Sequence, residues 1–302
     1  MRSGSLLAFT GRRLAALAAT VVLAPTFAYT VFNGLSGTAD RPLPAFAWDY
    51  AVTTFWRLDL GRSESYQEPV ARVVAWSLPV DLAMVLGGIA TGVLLGVAGG
   101  LLCAARSGSV GARAAQGLAI FVLSSPPYWM GLMVLVFFAP GTGYLLEIPF
   151  VSGLMEYTPL TQDPLMWLKG LWMPWLMVGL PLAAAVLRMT AATLRDALGE
   201  EFLRTARGKG VSERRVLTRH ALPLAAAPVA ALTGANMAML ITNVALMESA
   251  FNIPGIFREI REVASFTDWP LLQAMVIETT VLIVVANMAA DTIQARLDPR
   301  VG

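Results

Sequence analysis

Long apolar runs, separated by short charged segments, set the plan of the chain. Six of them predict membrane-crossing helices: Leu14–Phe32, Leu78–Ala105, Ala114–Pro140, Gly170–Leu187, Ala221–Met247 and Leu271–Ala290. A bilayer core about 30 Å thick is spanned by about 20 apolar residues in a helix. The only charges inside these runs are Asp81 and Glu278, with Asp291 just past the last one. The first run follows Arg12-Arg13 and so competes with a signal peptide. It is longer than a signal core and no small-residue cleavage site follows directly, which predicts an uncleaved helix. The expected organisation is a tail and first helix (1–33), an extracytoplasmic loop (34–77), and a five-helix core (78–302) containing a cytoplasmic loop at 189–222.

Charge gives the orientation. Of the 22 basic residues, fifteen fall on the side of the N-terminus against five acids, and seven fall opposite against twelve acids. Basic residues are retained on the cytoplasmic side, so both termini are expected there. The fold class is all-α: a polytopic membrane protein with six transmembrane helices. Composition agrees, with 302 residues at 56% hydrophobic and only 14% charged against about 25% in soluble domains. A water-soluble enzyme, a nucleic-acid binder and a disordered tail protein are excluded. One cysteine and one histidine exclude a disulfide scaffold, a Cys/His metal cluster and a thiol redox pair. Trp167, Trp172 and Trp175 crowd the start of the fourth run, where amphipathic rings anchor at the headgroup level.

Several patterns inside the runs bear on packing and passage. Gly88, Gly92, Gly96 and Gly100 recur every four residues, a stripe that lets another helix approach closely. In Ser124-Ser125-Pro126-Pro127-Tyr128-Trp129 two prolines remove two backbone donors. Such a break survives in lipid only where protein or a water-filled cavity satisfies the freed groups. It predicts either a plain kink or a pathway wall including Ser125 and Tyr128. Thr233, Asn236 and Asn243, continued by Leu240 and Met247, form one helical stripe that is read as lining for a polar solute. Asp81 and Asp291 lie near run ends and are expected to reach the interface, while Glu278 is expected to be an interior hydrogen-bonded carboxyl.

The most charged segment is Met189–His220. Asp196 to Arg207 reads as a helix, Gly208 and Gly210 as its stop, and Ser212 as the cap of a second helix with Val211 and Val216 as a hydrophobic staple. An amphipathic helix with an exposed Phe-Leu patch, carrying Glu200 and Glu201 at its start, favours a protein partner over a lipid surface.

Here a family resemblance becomes explicit. Arg204-Thr205-Ala206, Gly210 and His220-Ala221-Leu222-Pro223 stand at a spacing that resembles the EAA-Gly signature of membrane subunits of binding-protein-dependent ABC importers. Phe202–Gly210, Asp59-Leu60-Gly61-Arg62-Ser63, Leu78-Pro79, Ser125–Gly131, Glu248-Ser249-Ala250-Phe251 with Pro254-Gly255, and Leu297-Asp298-Pro299-Arg300 are similar to the dipeptide/oligopeptide branch. Arg204 replaces the glutamate of the broad signature. The resemblance implies a type I importer permease, without catalytic or metal residues of its own, forming half of a pathway for peptides. It implies that Glu201, Phe202, Leu203, Arg204, Thr205, Ala206, Arg207, Gly208, Lys209 and Gly210 form a coupling helix docked on an ATPase. Phe202 and Leu203 would seat in its groove; Arg204, Arg207 and Lys209 would pair with acids at the rim. The implied partners are a second homologous permease, two ATPase domains that bind ATP and Mg, an extracytoplasmic binding protein and membrane lipid, with no nucleic acid. The chain has no G-x-x-x-x-G-K-[ST] and so lacks a phosphate cradle, and no H-E-x-x-H or G-x-S-x-G, which argues against an intramembrane enzyme. A self-contained secondary transporter or channel is the rival class, and nickel, glutathione or a haem-like compound are rival solutes within the family.

Overall fold

A computed structural model describes residues 3–35, 42–141, 143–151, 157–259 and 268–297. Among these residues the regular structure is helical apart from an isolated bridge between Arg62 and Pro69. Each of the six expected runs falls on a helix or a helix pair. Four helices are long and apolar enough to cross a membrane, five when one bent pair is counted as a single crossing. The apolar segments Ala18–Val31 and Met237–Phe251 are shorter. The Leu297–Arg300 motif lies largely outside the described residues.

The chain divides into two compact units. The first comprises Met1–Leu78 and Glu259–Val285. In it α1 (Ser3–Leu35) packs on α2 (Leu43–Ala51). Pro44 lies in the first turn of α2, where a missing N–H leaves no hydrogen bond broken. Tyr29 of α1 stacks on Phe46 and Tyr50 of α2, with ring centroids 5.0 and 4.0 Å apart. The turn at Asp59–Ser63 follows, with Gly61 at φ +78° and its N–H donating to Asp59 Oδ1 at 2.9 Å. Ser63 Oγ and the Ser65 N–H donate to Asp268 Oδ2, and the Leu271 N–H donates to Asp268 Oδ1. Asp268 thereby caps the last helix, α11 (Trp269–Leu297), while gripping the distant turn. Burial opposes its ionisation, but these donors outweigh it and hold the carboxyl below the usual aspartate range.

The second unit comprises Pro79–Arg258 and Ala286–Gly302. It contains most of α3 (Val70–Ala105), then α4 (Val110–Ser124), α5 (Pro127–Phe138), α6 (Pro164–Leu198), α7 (Glu201–Gly208), α8 (Glu213–Arg215), α9 (Leu222–Ala235) and α10 (Met237–Phe251). The apolar window of α6 is 67% buried, against 28% in each of the other three long apolar helices, so α6 is the most enclosed of the four. The glycine stripe explains how α3 meets α6. A Cβ on Gly96 would stand 2.6 Å from Val186 Cβ, and one on Gly100 would stand 2.5 Å from Thr190 Cβ. Gly88 meets Val178 and Gly92 meets Leu182, so a glycine every four residues on α3 receives a side chain every four residues on α6. Trp175, expected as a headgroup anchor, covers Gly87 instead, and its carbonyl accepts a hydrogen bond from Thr91 Oγ1 at 2.8 Å.

Two expected crossings are not continuous helices. Ala114–Pro140 divides into α4 and α5, bent by 110°. Ser125 and Pro126 are extended, with ψ of 137° and 125°, because a residue before proline is driven out of the helical region. Ala221–Met247 is interrupted at Asn236, whose φ and ψ of −95° and 5° end α9 before α10 begins.

The stripe yields a paired prediction. Gly96→Ala must push Val186 and the Ala183 carbonyl aside and should lower stability by about 1–3 kcal/mol, the range for overpacking. Gly117→Ala on α4 meets open space and should be neutral or stabilising by up to about 1 kcal/mol. Thermal unfolding of the two purified variants in detergent distinguishes them.

Candidate functional site: a clamped amphipathic helix between α6 and α9

The expected helix over Asp196–Arg207 is two helices. Leu198 ends α6, Gly199 and Glu200 turn the chain, and α7 begins at Glu201, the first residue of the expected docking element. Its end is built as the glycines predict. With Gly210 at φ +78°, the Gly210 N–H donates to the Arg207 carbonyl and the Val211 N–H to the Ala206 carbonyl, the double bond pattern of a glycine-closed helix. Ser212 caps the next helix through its backbone carbonyl, which accepts from the Arg215 and Val216 N–H groups. The expected staple is present, since Val216 is buried and Val211 packs beside it.

The two residues of the Phe-Leu patch separate. Leu203 is 0% exposed, enclosed by Ala104, Leu194, Ala197, Val216 and Ala221, whereas Phe202 is 50% exposed. Successive residues on a helix point about 100° apart, so one core contact turns its neighbour outward. Leu203 therefore anchors α7 to this chain, and Phe202 is the apolar group of the pair left exposed. Arg207 also faces home. Its Nε and Nη2 donate to Glu213 Oε2 and Oε1 at 3.0 and 2.9 Å, and Nη1 donates to the Leu198 carbonyl at 3.3 Å. This fork-to-fork pair bridges α6, α7 and α8, raising the Arg207 guanidinium and holding the Glu213 carboxyl below the usual glutamate range. Glu201, Thr205, Gly208, Lys209 and Gly210 are exposed, and Ala206 is half-buried. The backbone of Arg204 lies within α7, while its side chain falls outside the description.

A second feature escaped the sequence reading. Asp81, expected at the interface, is fully buried, as is Glu248, which the sequence reading placed beyond the fifth crossing but which lies inside α10. Asn252 ends α10 in the left-handed conformation. The chain then returns so that the Ile256 N–H donates to Asp81 Oδ1 and Oδ2 at 3.2 and 3.3 Å, and the Phe257 N–H donates to Glu248 Oε2 at 3.1 Å. A Cβ on Gly255 would overlap both carboxylates, which explains the glycine of Pro254-Gly255. That dipeptide and the acid in α10 were the signals available beforehand. Glu278, in the first unit, is buried as expected of an interior carboxyl.

The five pathway candidates lie in two groups. Ser125 and Tyr128 are at the α4–α5 bend, where Ser125 Oγ donates to the Phe121 carbonyl and Tyr128 is exposed. Thr233 and Asn236 are half-buried and donate to the Val229 and Leu232 carbonyls of their own helix, while Asn243 is buried with Leu240 and Met247. Met247 meets Gly131 of α5, which is where the structure brings the two groups' elements together. Within one chain this stripe points inward.

Residues 96–302, which include α4 to α10, the clamped helix and the buried acid of α10, match the family described as binding-protein-dependent transport system inner membrane component. The chain belongs to this family. As such a component it is a multi-pass membrane protein and the permease subunit of an importer, with ATP hydrolysis residing in other subunits. A Brucella abortus protein named as a peptide transport system permease is 30% identical over 249 residues, 82% of this chain and 77% of that one. The glutathione transport system permease protein GsiC of Pectobacterium atrosepticum is 29% identical over 262 residues, covering 87% and 80%. The dipeptide transport system permease protein DppB of Escherichia coli K12 is 26% identical over 284 residues, covering 87% and 82%.

The separated roles predict separated phenotypes in this importer component. Leu203→Ala leaves a cavity in a closed apolar cluster and should destabilise by about 2–5 kcal/mol, whereas Phe202→Ala should leave stability within about 0.5 kcal/mol; thermal unfolding in detergent checks both. The Arg207–Glu213 pair should hold α7 at neutral pH. Because the Glu213 carboxyl is depressed, that contribution is present above the ordinary glutamate range and disappears as pH falls through the lowered value. Hydrogen-exchange protection at Glu201–Gly210, corrected for the intrinsic pH dependence of amide exchange, should drop only there, and Glu213→Gln should remove the pH step.

Proposed function

We propose that this chain forms half of the translocation path of an ATP-driven peptide importer and that α7 is the element through which a partner ATPase moves it. The observation that carries this reading is the division of labour on α7. Leu203 and Arg207 fasten the helix to α6, α8 and the start of α9, while Phe202 is offered outward beside exposed Lys209 and Glu201. A helix that is rigid towards its own bundle and apolar towards the outside suits the transmission of a partner's movement. The basic residues of the surrounding segment put it on the cytoplasmic side, where ATP and Mg would be bound by the partner's nucleotide domains. A second permease would complete the path, and an extracytoplasmic binding protein would deliver solute. Six crossings with both termini cytoplasmic fit this arrangement.

Peptide as solute is supported by the names of the relatives, which act on peptides, dipeptides and glutathione. All three are short chains of amide groups, and Ser125, Tyr128, Thr233, Asn236 and Asn243 would serve the path as its polar contacts. The stripe's inward orientation suits opening and closing between α5 and α10 rather than a standing pore.

Phe202→Ala should weaken co-purification of the ATPase subunits by about 2 kcal/mol or more, as expected for a central aromatic anchor. Peptide uptake in reconstituted vesicles should fall with it, while membrane insertion and melting temperature stay unchanged. Normal uptake by a correctly inserted Phe202→Ala variant would remove α7 from the coupling role.

A further inference from the structure

The first unit carries an apolar surface that neither α7 nor the polar stripe uses. Helix α2 (Leu43–Ala51) runs on through one wider turn, Val52–Trp56, and Asp49 is the only charge in that whole stretch. A helix apolar all round belongs inside a protein or against lipid. One face does lie inside: Phe46 and Tyr50 stack on Tyr29 of α1, and Tyr50 and Thr54 are buried. The opposite face does not. Ala45, Trp48, Val52 and Trp56 follow at intervals of three, four and four residues and so form one outward stripe, on which Trp48 is 71% and Trp56 86% exposed. Asp49 lines the recess beside the first residues of α11, which leaves the stripe itself uncharged.

Depth decides what covers the stripe. Tyr29 belongs to the apolar segment of α1, Ala18–Val31, and stands about 3 Å before its end at the helical rise per residue. Its ring lies 5.0 Å from that of Phe46 and 4.0 Å from that of Tyr50, distances that allow little difference in level. The middle of α2 therefore sits beside the last turn of the first apolar segment, not beyond it. Trp269, which opens the last apolar helix, lines the same recess as Tyr29 and Phe46, so a second long helix marks the same level. There the hydrocarbon core gives way to headgroups, and an indole, apolar but for one N–H, is favoured at that boundary. Charge resumes only past the stripe, at exposed Arg57 and Asp59.

We propose that α2 and the turn after it bind the lipid surface, seated at the boundary between headgroups and acyl chains with Trp48 and Trp56 as anchors. The expected extracytoplasmic loop thus opens on a membrane-surface helix. The inference is independent of the solute and of the coupling role of α7.

Spin labels read this position directly. With the buried Cys103 replaced by alanine, a nitroxide is attached at Ala45→Cys or Val52→Cys in the full chain in lipid nanodiscs, so that both tryptophans stay in place. Oxygen, which partitions into lipid, should relax both labels more than a water-soluble nickel chelate does. Read against lipids labelled at known depths, both should fall at the headgroup–acyl boundary. A label relaxed mainly by the nickel chelate, as in water, or shielded from both relaxants, as under a covering protein, overturns the proposal. A second measurement decides the matter where a cysteine variant fails to insert. The fluorescence lost when Trp48→Phe and Trp56→Phe are combined belongs to these two rings, and it should be quenched by brominated lipid and spared by iodide in the water. Quenching by iodide instead, or by neither, overturns the proposal equally.

Discussion

Close approach of α3 and α6 is the constraint on which the second unit depends. Between two helices in a bilayer there is little hydrophobic drive, because lipid tails are as apolar as leucine; association rests on packing and on hydrogen bonds that lipid cannot replace. The chain meets this by removing side chains from one helix wherever the other presents one. Gly88, Gly92, Gly96 and Gly100 receive Val178, Leu182, Val186 and Thr190, and Thr91 adds a hydrogen bond across the same seam. With α6 fixed on α3, the far end of α6 is a stable place from which to hang the loop that follows.

That loop shows how one short helix is held against its own bundle. Eight residues cannot hold a helix in water by themselves. Here α7 is retained by a glycine-closed end, a leucine in a closed cluster and a bidentate ion pair. Each holding contact consumes a residue that pattern alone offers to a partner: Leu203 instead of a groove contact, Arg207 instead of a rim contact. Among the described side chains of α7, Phe202 is the apolar one left outward, with Glu201, Thr205 and Lys209 around it, and under the proposed coupling role it would be the anchor.

Much of the architecture was legible in the sequence because the bilayer makes strong demands. Apolar length located the long helices but not α2, which falls inside the expected extracytoplasmic loop, and the four-residue glycine period located the α3–α6 contact. Gly210 and the Val211–Val216 pair located the end of α7 and its staple. The sequence was a poorer guide wherever a local break competed with a long apolar run. Apolar length passes smoothly through both breaks; the paired prolines already predicted a kink at Ser125-Pro126, but only backbone geometry gives its 110° sharpness and the one-residue interruption at Asn236. Direction was the other gap: adjacent Phe202 and Leu203 are chemically alike, and their opposite fates depend on a cluster assembled from α3, α6 and the turns between α8 and α9. Asp81 and Glu248 were misplaced for a similar reason, since their partners are backbone N–H groups supplied by a loop far from Asp81 in sequence.

The clasp around Gly255 limits how this unit can deform. Two carboxylates hold backbone donors of the same short return, one reaching from α3 and the other from α10. Parting those helices would strand buried carboxyl oxygens and amide hydrogens without partners, at a cost of several kcal/mol where no water can replace them. During a transport cycle α3, α10 and the return between them should therefore swing as one solid piece. Flexure then falls to the joints outside the clasp, the proline corner at Ser125 and the asparagine hyphen at position 236.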